Sequence, residues 1–479
     1  MAHGPGIKPR RAVALLMGVL VVLTLALLSP HTASARPTKD GDDGLTSQMA
    51  QEVQARGGTT IQDLSKMKHA RWGHGPKPVR GVNIGGWLIL ENWQTPSLFL
   101  TPDLKDKSIP DEWTWSKTLG NTTATRKRLQ THYANWLNAT DFKRMAEYGL
   151  NTVRLPVPYW AFVPNAKEPY LTGLQQPFIA KALGWARDNN LDVVLDLHGV
   201  PGSQNGYDNS GRAGRIGFGD SKDNMDLAIL ALMRMTELYV NDPSYRGVVK
   251  AIEVVNEPKV GGGAVPLDFL QEFYRKSYAA IRNQIDPKRA PLVPTILFSD
   301  AFLDLSTWDD FFWDKSWYKT GSYAIDTHSY QAWSPLKELS PSGHIKHACS
   351  LGAPLSHTRS IHPVVVGEFA LGIETRCVPY QSCAGRSIKD DVATLNTDSQ
   401  NLFARRFWEA QTQTFEGSGS GWIFWSWKGE STAAWSYQAA VEQGWIPRNL
   451  DERAFRTQAG PYCVEKSPSA AVSFKTRSG

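Results

Sequence analysis

Several things are scarce in this 479-residue chain, and each scarcity excludes something. There are four cysteines, Cys349, Cys377, Cys383 and Cys463, and none stands in a C-x-x-C pair, which argues against a zinc ribbon or a thioredoxin-like motif. Four cysteines allow three pairings, and spacing does not choose among them. Charge of one sign is also lacking. Lys+Arg number 52 and Asp+Glu 46, interleaved throughout, so the net +6 is too weak for a nucleic-acid binder. Beyond Ala12–Leu28, no run approaches the ~18 apolar residues of a membrane span. No glycine-rich phosphate turn follows the first strand-like run, which weakens a doubly wound sheet as the alternative fold. No G-x-S-x-G elbow is present, and Gly417-Ser418-Gly419-Ser420-Gly421 reads as a loop. His132, His198 and His328 lie far apart with no i,i+4 pair, so neither a metal nor a cofactor is expected. Repeats of solenoid period are missing too.

Aromatic residues are plentiful. The chain carries 18 Trp, and flat rings of this size either fill cores or stack on the apolar faces of sugars. The apolar content of 41% is enough for a folded core.

The first 35 residues read as a secretory signal peptide. Lys8, Arg10 and Arg11 precede the uncharged run Ala12–Leu28, and Ala33-Ser34-Ala35 supplies a small-x-small cleavage pattern. The competing reading is an uncleaved anchor, at the lower edge of spanning length. Residues 36–75 read as a flexible polar leader with one short helix around Leu45–Gln54, residues 76–465 as a single catalytic domain, and 466–479 as a disordered tail. The sequons at Asn121 and Asn138 fit secretion to an extracellular or cell-wall location, with no membrane association after cleavage.

From Arg80 onward, eight short runs rich in apolar and β-branched residues alternate with helix-like stretches. The runs are Gly81–Leu90, Thr152–Leu155, Asp192–Leu197, Ala251–Val255, Pro294–Phe298, Tyr323–His328, Pro363–Val366 and Gly421–Trp425. Phe178–Asn189, Leu267–Ile281 and Leu395–Phe415 are amphipathic at helical spacing. Short continuous apolar strands with intervening helices imply parallel pairing covered on both faces. Eight such units predict an α/β fold, a (β/α)8 TIM barrel, with its site at the carboxyl ends of the strands.

Polar residues gather at those ends. Run four leads into Asn256-Glu257-Pro258 and run seven into Gly367-Glu368-Phe369. Two carboxyl groups at one barrel mouth are the minimum for splitting a glycosidic bond, one donating a proton and the other attacking or activating water. Arg154 is expected to close strand two, with His198 after strand three, His328 and Tyr330 ending strand six and Trp425 ending strand eight. An Arg and a Tyr donating to one carboxylate hold it ionised, and that charge raises the other carboxyl, keeping it protonated as the acid.

These motifs resemble glycoside hydrolase family 5, in its fungal exo-β-1,3-glucanase branch. The likeness rests on Arg80-Gly81-Val82-Asn83-Ile84-Gly85-Gly86-Trp87, on Asp196-Leu197-His198-Gly199-Val200-Pro201-Gly202-Ser203-Gln204-Asn205-Gly206, on Asn256-Glu257-Pro258, and on Gly421 to Lys428. It runs from about Arg80 to Cys463. The resemblance implies a secreted, retaining, monomeric enzyme that frees glucose from non-reducing ends of β-1,3-glucan. It makes Glu257 the acid/base and Glu368 the nucleophile. It further implies that Asn256 holds the 2-hydroxyl, that Arg154, His198, His328 and Tyr330 surround the reaction, and that Trp425 floors the sugar. Glu91, Asp208 and Asn209 would bind outer hydroxyls, and Phe302 and Trp333 would pinch the sugar at the entrance. It pairs Cys349 with Cys463 and Cys377 with Cys383. Trp333, Trp93 and Tyr207 replace other aromatic residues of the family pattern, Phe369 replaces a Trp, and the Gly211–Asp220 loop departs from it. A glucosidase of another linkage, acting on β-1,6-glucan or a glucosylated lipid, and a non-catalytic β-glucan-binding wall protein are the alternatives.

Overall fold

The computed structural model describes residues 61–262, 264–311, 323–373, 398–430, 433–455 and 463. Eight strands hydrogen-bond in chain order into a closed, all-parallel barrel. They are β1 (Val79–Asn83), β2 (Thr152–Pro158), β3 (Asp192–Gly199), β4 (Val249–Glu253), β5 (Thr295–Ser299), β6 (Tyr323–Ser329), β7 (Val364–Phe369) and β8 (Gly421–Phe424). Closure is made by β1 on β8, with Val79 opposite Gly421. The expected TIM barrel is therefore present.

Helices follow the strands and cover them. Gln176–Asp188 buries Phe178, Ile179, Ala182, Leu183 and Ala186, residues spaced three and four apart, which makes one continuous apolar stripe. Lys222–Met235 starts on Ser221, whose side chain accepts the amide of Asn224. Leu267–Gln284 and Asp398–Ser418 run close to the stretches expected from their periodicity.

The strand bounds shift where burial mimicked pairing. The first run was expected to reach Leu90, but β1 ends at Asn83. Ile84 to Leu90 are buried in a loop instead, turned by Gly86 at φ +63°. Strand β4 lies two residues earlier than Ala251–Val255, because pairing to β3 begins at Val249. This leaves Asn256 and Glu257 beyond the strand, on the loop that crosses the mouth.

The polar leader ends earlier than expected. Residues 61–75 were assigned to it, yet Ile61–Ser65 is helical, and Trp72 is buried. Trp72 packs with Val79, Val194, Ala251, Leu297, Val365 and Ile423, residues from six strands. It closes the amino-terminal end of the barrel, and its indole faces Thr152 Oγ1 at 3.4 Å. A lone Trp in a glycine-rich polar stretch has no periodicity to reveal this role. Trp72→Ala is expected to cost about 3–5 kcal/mol of stability, the range for emptying a large aromatic site, read as a lowered urea midpoint at unchanged slope.

Cys349 and Cys463 form a disulfide across a separation of 114 residues, the pairing the resemblance implied. Cys377 and Cys383 lie outside the described residues, as do the signal peptide, the Leu45–Gln54 helix and the 466–479 tail. No helix among the described residues is long and apolar enough to cross a membrane.

Candidate active site

The barrel interior above the apolar plug is charged. Arg154 sits in the middle of β2, fully buried; it does not close the strand as expected, because β2 runs on to Pro158. From there its guanidinium reaches six groups. Nε donates to Glu253 Oε2 at 2.7 Å and lies 3.8 Å from Asp326 Oδ2. Nη1 donates to Asn83 Oδ1 at 2.9 Å and to Glu368 Oε1 at 2.8 Å. Nη2 donates to Asn256 Oδ1 at 2.8 Å and lies 3.1 Å from Asp196 Oδ2. A buried charge is tolerable only when paired and hydrogen-bonded, and Arg154 meets both conditions.

Glu368, in β7, rises from this layer. Arg154 holds Oε1, and the Tyr330 hydroxyl donates to Oε2 at 2.7 Å. Glu257 stands opposite, at φ +43°. Its Oε1 is 2.7 Å from His328 Nδ1, and its Oε2 accepts from Asn209 Nδ2 at 3.2 Å. His328 Nδ1 is also 3.5 Å from Glu368 Oε2. One oxygen of each glutamate lies within 4.8 Å of the other.

Beside them, His198 Nδ1 meets Asp196 Oδ2 at 2.6 Å, and its ring stacks on Trp425 at 5.4 Å between centroids, 12° from parallel. Trp425 lies one residue beyond β8. Asn256 Nδ2 approaches His198 Nε2 at 3.5 Å, and Gln204 Nε2 donates to both the His198 and the Asn256 carbonyls.

The charge states differ from expectation. Burial pushes Glu257 up, but the hydrogen bond and charge of His328 outweigh it and leave Glu257 below the usual carboxylate value. Burial raises Glu368, and His328 and Arg154 only partly offset this. Burial opposes a charge on His328, yet Glu368, Asp326 and Glu257 together raise it well above the ordinary histidine value. The shift of Glu257 thus runs opposite to the one expected. His328, placed between the two glutamates, is the cause, and nothing in the sequence put it there.

Further out, Glu91 accepts from the Gly86 amide at 3.2 Å and the Trp93 indole at 3.0 Å. Burial, followed by the charges of Asp208 and Glu368, raises Glu91 well above its usual value. Burial pushes Asp208 up to about 7, and its Oδ2 has no hydrogen-bond partner among the described residues. At the rim, Phe302 is 50% and Trp333 46% exposed, unusual for such rings, so both offer a free face to solvent. Tyr207 meets Phe302 edge-on, and Trp333 packs on Tyr330 and Trp435.

The structure therefore brings the sequence-derived residues to one mouth. Asp196, Glu253, Asp326, Asn83 and Trp435 are part of the same assembly and were missed. The signal for the three acids was available: each is a carboxylate inside an otherwise apolar strand, which demands a buried cation. Two triads bring one ligand atom each within 4.8 Å of the others and could hold a metal: Glu253, Asp326 and His328, and Glu257, His328 and Glu368. Arg154 already lies against the first.

Residues 119–431 match the family model described as cellulase, glycosyl hydrolase family 5. The chain belongs to glycoside hydrolase family 5. It is 38% identical over 401 residues to a protein named "Probable glucan 1,3-beta-glucosidase A" from Aspergillus fumigatus, covering 79% of this chain and 90% of that one. It is 35% identical over 447 residues to "Glucan 1,3-beta-glucosidase I/II" from Saccharomyces cerevisiae, covering 87% and 96%. Among solved structures, rutinosidase from Aspergillus niger superposes with a TM-score of 0.63 at 19% identity over 79% of this chain and 99% of that one, a likeness of fold. The protein is a glycoside hydrolase, and its paired glutamates stand at the carboxyl ends of β4 and β7.

Proposed function

We propose that this glycoside hydrolase is a secreted, retaining exo-β-glucosidase that removes glucose from the non-reducing ends of β-1,3-glucan. The observation that carries the reading is the pair Glu257 and Glu368, with one oxygen of each within 4.8 Å. Retaining glycosidases hold their carboxyl groups about 5–5.5 Å apart, whereas inverting ones leave roughly 6.5–9.5 Å for a water. Glu368 is the nucleophile. Arg154 and Tyr330 fix both of its oxygens, so its attack on the anomeric carbon needs little reorganisation. Glu257 is the acid/base. His328 contacts it at 2.7 Å, and a proton passed from that ring to Glu257 equips it to protonate the leaving oxygen. Asn256, locked by Arg154, takes the 2-hydroxyl, and Trp425, braced on His198, floors the sugar.

Exo action is supported by the buried carboxyl groups beside the paired glutamates. Glu91 and Asp208 are buried carboxyl groups, the charge of Asp208 raising Glu91, and the Asp208 Oδ2, which has no partner among the described residues, is an acceptor waiting for a hydroxyl. Asn209 supports Glu257 from the same side. Phe302 and Trp333 flank the next sugar as stacking faces. The β-1,3 linkage is supported by the names of the relatives, whose length this chain nearly spans. Secretion is supported by the amino-terminal pattern and by two surface sequons. Asn121 and Asn138 are both exposed, and Asn138 also caps the helix Ala139–Glu147, so a glycan there would leave the cap oxygen in place.

Laminarin digestion tests this. Glucose as the sole early product, released first as the β-anomer by NMR, is expected, with pustulan cleaved more slowly. A ladder of oligosaccharides, or α-glucose first, would refute it.

A further inference from the structure

One buried carboxylate links the two glutamates and is used by neither step above. Asp326 lies in β6, fully buried. Its Oδ1 accepts the amide of Gly367, the residue immediately before Glu368, at 2.7 Å. The contact requires glycine: a Cβ at residue 367 would overlap both Asp326 oxygens. Its Oδ2 faces His328 Nε2 at 3.5 Å. Both atoms are buried, and neither has a hydrogen-bond partner among the described residues. The opposite ring nitrogen of His328 is the one on Glu257. Asp326 thus touches the backbone next to one glutamate and faces the ring that holds the other.

We propose that Asp326 is a positioning residue, which sets the height of Glu368 through the Gly367 amide and orients the His328 ring on Glu257. The inference rests on the catalytic roles given above to Glu257 and Glu368. A buried imidazole with a carboxylate oxygen beside each ring nitrogen has its ring plane set by the two, and in its protonated form carries a proton toward Glu257. His328 is faced by Asp326 from its own strand, Glu257 from the loop after β4, Glu368 from β7 and Asp300 from the end of β5; Arg154, from β2, lies against Asp326. Asp326 is the group that also holds the nucleophile's strand.

The test compares Asp326→Asn and Asp326→Glu in the whole enzyme. The amide oxygen of Asn still accepts from Gly367 but removes the charge facing His328. Glu keeps the charge but pushes the carboxylate into the space beside Gly367. The His328 13Cε1 resonance, assigned by its loss in His328→Gln, is followed against pH, and kcat and KM are measured on an aryl glucoside. For Asp326→Asn the expected result is a His328 titration displaced to lower pH by about one unit or more, with kcat down at least about 100-fold and KM within about threefold. For Asp326→Glu, the titration stays near that of the wild type while kcat falls. An unmoved His328 titration in Asp326→Asn overturns the inference, as does wild-type kcat in either variant. If Asp326→Asn does not fold, the Asp326→Glu kinetics decide alone. Because the titration needs no turnover, it separates this inference from the assignment of Glu368, which trapping with a 2-fluoro glucoside tests on its own.

Discussion

Glu368→Ala is expected to lower kcat by roughly 10⁴–10⁶-fold, the scale for deleting a nucleophile from a group that acts as a unit. That corresponds to at least about 5 kcal/mol of transition-state stabilisation. The size follows from the geometry. Arg154 and Tyr330 are pre-set on the two oxygens of Glu368, so the deletion removes the attacking atom and strands both donors. The methyl side chain leaves space on that face of the sugar, and added azide can enter it. Azide should restore turnover of an activated glucoside and give the α-glucosyl azide, since the small anion attacks once, from the nucleophile's side. Mass spectrometry with a 2-fluoro glucoside should label the wild type at Glu368 and not the variant. A variant that keeps more than about a hundredth of wild-type kcat without azide would refute the assignment.

The second large effect depends on the leaving group. Glu257→Gln preserves shape and the Asn209 contact but cannot donate a proton. With an alkoxide leaving group, as in laminarin, kcat/KM should fall by about 10²–10⁴-fold. With a dinitrophenyl glucoside, which departs without help, kcat/KM should change little. Its kcat should still fall, because the glycosyl-enzyme then waits for a water that has lost its base. The diagnostic is the split between substrates. Equal losses on both would assign Glu257 to binding instead of proton transfer.

Legibility varied with the distance over which a signal acts. The eight strands were visible because each is a short apolar run covered on both faces, a property of adjacent residues. Glu257 and Glu368 were visible for the same reason: each stands two residues beyond the end of such a run. Strand ends were less visible. Ile84 to Leu90 read as strand because burial in a loop and burial in a sheet have the same composition. Trp72 was hidden because its partners come from six strands spread along the chain. Asp196, Glu253 and Asp326 were overlooked although each interrupts an apolar strand. Their common reason is Arg154, and only the closed barrel shows four separated residues to be one charge balance. The protonation of Glu257 was misjudged for a related reason. Proximity to Glu368 argues for a raised carboxyl, but the sign is decided by which of them His328 contacts more closely, and that is a matter of 2.7 Å against 3.5 Å.

Arg154 also has a consequence for how the molecule is made. The guanidinium arrives with the second strand, while its partners lie on the first, third, fourth, sixth and seventh. A nascent chain emerging from the ribosome exposes Asp196 and Glu253 to it long before Asp326 and Glu368 exist. A half-cylinder assembled at that stage would already pair Arg154 with Asp196 and Glu253, but would lack Asp326 and Glu368. The last strands therefore complete at once both the wall and the chemistry inside it.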